Sequence, residues 1–151
     1  MFAIRFLPGL TEDGRAAGEL VLGEDTEGFH ADLGFWAQED YERQWVRSVA
    51  RLVGGSAKKG CLVTSVPPLE TANFVSWWVL YVIGPDVVAQ EQILFLEELD
   101  SPFRPETPEV HVRERATQTD EGQAISEWRV PLAAVEAFLA STSVGGGDFS
   151  A

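Results

Sequence analysis

Ser76-Trp77-Trp78-Val79-Leu80-Tyr81-Val82-Ile83 runs directly into Gly84-Pro85-Asp86 and then into Val87-Val88-Ala89-Gln90-Glu91-Gln92-Ile93-Leu94-Phe95-Leu96. In the first run both alternating sets are apolar, Trp77, Val79, Tyr81 and Ile83 against Trp78, Leu80 and Val82, as a strand covered on both faces requires. It is therefore an interior strand. Gly84-Pro85-Asp86 is short and turn-forming, so the second run folds back antiparallel beside the first, with Gln90 and Gln92 on one face and Glu91 on the other. Cys61 to Val66, closed by Pro67-Pro68, precedes this hairpin as a further central strand, and the loop it starts continues through Asn73.

Upstream, Ala37 to Val53 reads as a helix, because Tyr41, Trp45, Val49 and Leu52 recur at spacings of four, four and three and so gather on one stripe. Arg43, Arg47 and Arg51 lie about 200° around that helix from Trp45, at roughly 100° per residue. They form a solvated face, with Glu39 supporting Arg43 at i,i+4. Gly54-Gly55 ends the helix and Ser56-Ala57-Lys58-Lys59 makes a basic loop. Before the helix, Phe2 to Leu7, Glu19 to Leu22 and Phe29 to Leu33 read as a meander of strands, the last two flanking the acidic turn segment Gly23 to Gly28.

Beyond the hairpin the chain becomes acidic and proline-rich through Glu97-Glu98-Leu99-Asp100, Pro102, Pro105 and Pro108, a long irregular connection. Val110 to Arg115 is expected as an edge strand and Gln123 to Val130 as another, leading into a short helix from about Pro131 to Ala140 with Leu132, Val135, Phe138 and Leu139 on its apolar stripe. These elements predict an α+β fold: one domain over residues 1–144, a mainly antiparallel sheet of roughly five to seven strands packed against the helix at about 37–53 and the short C-terminal helix, with 145–151 as a flexible tail.

The 151 residues include 24 acidic and 11 basic side chains, a net charge of -13. Such a surface repels phosphate backbones and anionic lipid and attracts a basic protein, so neither nucleic acid nor a membrane is an expected partner. With 45% hydrophobic residues and five tryptophans, the chain has the material for a real core. The longest apolar run, Phe74 to Ile83, falls short of the ~20 residues of a membrane helix. Met1 to Arg5 lacks the pattern of a secretory signal, and the lone Cys61 fits a reducing compartment, so a cytoplasmic location is expected.

Motifs that carry chemistry are sparse. Gly54 to Gly60 has the glycines and lysines of a phosphate loop in the wrong order. His111 and Glu114, three apart in a supposed strand, do not make a metal pair, and His30 is the only other imidazole. Cys61 sits in an apolar strand with no base in prospect, as a packing residue does. Glu97-Glu98 would need a cleft to act as acid and base. No catalytic residue, cofactor or metal site is expected, and the chain is not read as an enzyme.

Four stretches together resemble the immunity proteins of bacterial contact-dependent growth inhibition systems: Trp36 with Tyr41-Glu42-Arg43-Gln44-Trp45, then Cys61-Leu62-Val63-Thr64-Ser65, then Trp77-Trp78-Val79-Leu80-Tyr81 with its hairpin, and Ile125-Ser126-Glu127-Trp128. The resemblance implies a small cytoplasmic protein that binds the toxin domain delivered by a neighbouring cell, frequently a nuclease, and transfers no catalytic residues. Its partner would be a basic toxin domain, blocked by occlusion. An acidic inhibitor suits a basic phosphate-binding surface, steering encounter and fixing register. The candidate contacts are Glu24, Asp25, Glu27 and Asp32 from the meander, and Glu97, Glu98, Asp100 and Glu106 from the connection after the hairpin. A competing reading places a small-molecule pocket, binding or catalytic, among Trp77, Trp78, Tyr81 and Trp128.

Overall fold

The structure is a computed structural model that describes residues 1–143; the expected tail at 145–151 lies outside the described residues. The described residues form seven antiparallel strands in two sheets. Strands β1 (Phe2–Leu10), β2 (Ala16–Leu22) and β3 (Asp25–Ala31) form a meander in the order β1-β2-β3. Strands β4 (Lys59–Ser65), β5 (Phe74–Ile83), β6 (Asp86–Phe95) and β7 (Trp128–Pro131) form the second sheet in that order. Helices α1 (Gln38–Val53) and α2 (Leu132–Ser143) complete the described fold.

The central hairpin is as expected. Ile83 pairs with Asp86 across Gly84-Pro85, and β5 is interior, flanked by β4 and β6. Both two-residue turns place glycine first with a positive φ, +69° at Gly23 and +58° at Gly84, a conformation that side chains resist. The meander is also present with different bounds. Leu22 pairs with Asp25, so the turn is only Gly23-Glu24 and the acidic residues Asp25 to Glu27 belong to β3, which ends at Ala31 before Leu33. A polar edge strand with one exposed face has no apolar run to announce it.

Helix α1 begins where Asp40 Oδ2 accepts a hydrogen bond from Ala37 N at 2.9 Å and ends at Gly54, followed by Gly55 at φ +81°. Its buried stripe contains Tyr41, Trp45, Val49 and Leu52, and also Gln44 and Ser48. These polar members face the outer edge of β4. Ser48 Oγ accepts from Cys61 N at 3.1 Å, Gln44 Nε2 donates to Cys61 O at 2.9 Å, Gln44 Oε1 accepts from Val63 N at 2.8 Å, and Trp45 Nε1 donates to Val63 O at 2.6 Å. The helix thus replaces a neighbouring strand with side chains and leaves no peptide group of Cys61 or Val63 unpaired on that edge. Gly60 is part of the fit, since a Cβ there would lie 2.7 Å from Ser48 Oγ.

Tyr41 continues the seam, accepting from Val66 N at 2.9 Å and donating to Asp32 O at 2.6 Å, so one hydroxyl joins the two sheets. Burial pushes this hydroxyl up to about 12. Trp45 also packs on the first sheet: its ring centroid is 5.0 Å from that of Phe6, tilted, and 5.8 Å from that of Phe29, edge to face.

One expected strand is absent and another is shorter than expected. Val110 to Arg115 was expected at an edge, but Pro108–His111 form a 3-10 turn and the following residues cross the face of the second sheet. Their backbone is satisfied by side chains below them: Tyr81 OH donates to Arg113 O at 3.0 Å and Gln90 Nε2 to Ala116 O at 2.8 Å. Gln123 to Val130 shrinks to β7, Trp128–Pro131, because the preceding residues turn away and Glu127 pairs with Arg115. Pro131 closes β7 opposite Asp86, and α2 starts one residue later, with Leu132 N donating to Pro85 O at 2.9 Å.

Residues 97–127 therefore form a strap pinned to the sheet by a polar cluster. Glu127 accepts from Gln90 Nε2 at 2.8 Å and from Arg115 Nε and Nη2 at 2.7 and 2.6 Å. The Arg115 guanidinium holds the Glu127 carboxyl below its ordinary 4.5. Stability from this lowering is complete above that pH and lost as pH falls through the lowered value. Glu127→Gln should cost about 1 kcal/mol near neutrality, and the gap to the parent in urea unfolding should close as the pH falls through the lowered value.

Candidate functional site

The acidic candidates occupy three settings. Glu24 and Asp25 are exposed at the β2–β3 turn, with Glu27 half-buried along β3. Glu97, Glu98 and Asp100 are exposed at the end of β6, where a 3-10 turn, Leu96–Glu98, follows Phe95. Glu106 is exposed on the strap, beside a groove of about 290 Å³ shared with Phe35, Trp36, Arg43 and Arg47. The first and second sets stand on different sheets: Gly23 N is bonded to Met1 O, and Leu96 N to Asn73 O. None of these carboxylates enters an ion pair among the described residues, although Asp13, Glu19, Asp40, Asp86, Glu109, Glu114 and Glu127 all do. Apart from Glu106, which shares its groove with Arg43 and Arg47, they are uncompensated negative charge.

Asp32 differs from the rest. Its Oδ1 accepts from Gly34 N at 2.7 Å and its N donates to Ser65 Oγ at 3.1 Å, so it shapes the junction between the sheets. The three arginines of α1 are exposed, as the helical pattern predicts. Arg43 approaches Asp40 at 3.4 Å instead of Glu39, and Arg51 reaches Glu109 on the strap at 2.8 Å.

The aromatic quartet does not converge. Trp77 and Trp78 are each 1% exposed and, as neighbours on β5, point to opposite faces of the sheet. Tyr81 shares the strap-covered face with Trp77, while Trp128 packs edge to face on Trp78 with centroids 5.1 Å apart. They are core on two sides of one strand. Cys61 is fully buried, and burial pushes its thiol above the ordinary value, the opposite of an activated nucleophile. Among the described residues no three His, Cys, Asp or Glu side chains are grouped to hold a metal ion. No helix of the described residues is long and apolar enough to cross a membrane.

One feature carried no signal in the periodicity. Phe74, Ile93 and Phe95 are 43%, 47% and 45% exposed and lie together on one face at the end of the β5–β6 hairpin. The alternation marks that face as apolar but not where its cover stops.

Among the described residues, seven antiparallel strands, a helix sealing one sheet edge, and unpaired acid on the turns define the class: a small acidic α+β domain. The same architecture occurs in a solved CdiA-CT/CdiI toxin and immunity complex from Enterobacter cloacae, a chain of which superposes with a TM-score of 0.85 at 28% identity, over 95% of this chain and 99% of that one. Residues 31–138 match the CdiI N-terminal domain, and the chain belongs to that family of immunity proteins. Immunity protein CdiI of Enterobacter cloacae subsp. cloacae is 31% identical over 122 residues, 81% of this chain and 83% of the relative.

Proposed function

We propose that this chain neutralises a cognate toxin domain by binding it one to one in the cytoplasm of the cell that makes it, through occlusion and without turnover. The observation that carries this is the likeness, over nearly the whole chain, to a protein solved with its toxin. The toxin is a basic nuclease in this reading. Carboxylates at Glu24, Asp25, Glu27, Glu97, Glu98, Asp100 and Glu106 support it, because they can occupy a surface built for phosphates. Asp32 contributes to the field while its side chain holds the junction.

The test is co-expression with the toxin domain encoded by the adjacent gene. A one-to-one complex should co-purify, with an association rate that falls by roughly tenfold or more as salt is raised. Reversal of Glu97, Glu98 and Asp100 to Lys should slow association and weaken protection while leaving the circular dichroism spectrum unchanged. Absence of a complex at every ionic strength defeats the proposal, and a salt-insensitive rate removes its electrostatic part.

A further inference from the structure

We infer that the toxin docks on the exposed apolar end of the β5–β6 hairpin, with Phe74, Ile93 and Phe95 as its anchor and Glu91, Glu97, Glu98 and Asp100 as the surrounding charge; this rests on the immunity reading above and names the surface it uses. Phe74 and Phe95 are cross-strand partners with ring centroids 6.3 Å apart, and Ile93 lies two residues before Phe95 on the same face. Three large apolar side chains, each nearly half exposed and mutually adjacent, make a patch that water covers poorly. Single exposed hydrophobes are ordinary, and Leu10 and Val110 are of that kind.

The surroundings identify the occupant. Glu91 is exposed on the same face, two residues before Ile93, and Glu97, Glu98 and Asp100 follow Phe95 within one turn of chain. None of the four enters an ion pair among the described residues. Beside the patch runs a cleft of about 440 Å³ bordered by Phe74, Ser76, Glu91 and Thr64 on one sheet and by Arg15, Phe29 and His30 on the side of the other, so that its charges are mixed. An apolar, aromatic centre with a charged rim is the anatomy of a protein interface. A second copy of this chain is a poor occupant. Two-fold pairing would set these carboxylates against their own images in a protein of net charge -13. A cationic protein surface gains where a self-pair loses.

The experiment compares the parent with Phe74→Ala/Phe95→Ala, Ile93→Ala, and the controls Leu10→Ala and Val110→Ala, titrating each with the purified toxin domain encoded by the adjacent gene. Sedimentation of each chain alone and circular dichroism accompany the titrations. The double variant should bind at least thirtyfold more weakly and Ile93→Ala several-fold more weakly, with both controls unchanged. Because a defect in folding would also weaken binding, amide hydrogen exchange of the parent complex supplies a second readout: protection should appear at residues 91–100. Parent-like affinity in the double variant, or protection confined to the β2–β3 turn, overturns the docking surface while leaving the immunity reading in place. A parent that sediments as a dimer and becomes a monomer when Phe74 and Phe95 are truncated assigns the patch to self-association and overturns it as well. A parent that binds no toxin removes both.

Discussion

Trp45→Ala should lower the unfolding free energy by about 3–5 kcal/mol, read as a fall in the urea midpoint with little change in slope. Trp45 is 2% exposed and meets three elements at once. Its ring contacts Phe6 of β1 and Phe29 of β3, with centroids 5.0 and 5.8 Å away, while Nε1 bonds Val63 O of β4. Truncation opens a cavity at the point where the two sheets share a helix and also strands the Val63 carbonyl. A small domain has a total stability of roughly 5–15 kcal/mol, so the variant would be marginal at body temperature. A loss under about 1 kcal/mol would show that the site collapses around the missing indole and that the sheets are joined elsewhere.

Gln44→Leu should cost roughly 2–5 kcal/mol, although it replaces a polar side chain in the interior by an apolar one of similar volume. A buried glutamine on the apolar stripe of an amphipathic helix looks like a defect. Here its amide supplies both a donor, to Cys61 O, and an acceptor, for Val63 N. Leucine satisfies neither, and each orphaned peptide group carries a desolvation penalty of about 1–3 kcal/mol. Ser48→Ala should cost less, since it strands only Cys61 N. Equal stability of Gln44→Leu and the parent in urea titration would mean that water reaches the β4 edge and that the helix contributes packing alone.

These contacts also mark where the sequence is legible. The hairpin at 76–96 could be read because an interior strand must be apolar on both faces and Gly84-Pro85 admits few alternatives to a tight turn. Helix α1 could be read from Tyr41, Trp45, Val49 and Leu52, but the same stripe hid the purpose of Gln44 and Ser48, because their partners are peptide groups that no side-chain pattern records. The strap was legible as irregular and not as attached. Val110 to Arg115 alternates like a strand, yet Tyr81 takes the carbonyl of Arg113 and Gln90 that of Ala116, just beyond it, before any ladder can. The acidic candidates were legible as charge, but which of them stand beside uncovered Phe74 and Phe95 depends on where the cover of one sheet face ends, a property of the assembled molecule.

Tyr81 and Gln90 grip Arg113 and Ala116 by their carbonyl oxygens, and every amino acid brings one. The two anchors therefore place little demand on which side chains residues 113 and 116 bear. A lineage can diversify those positions without unsettling the strands beneath.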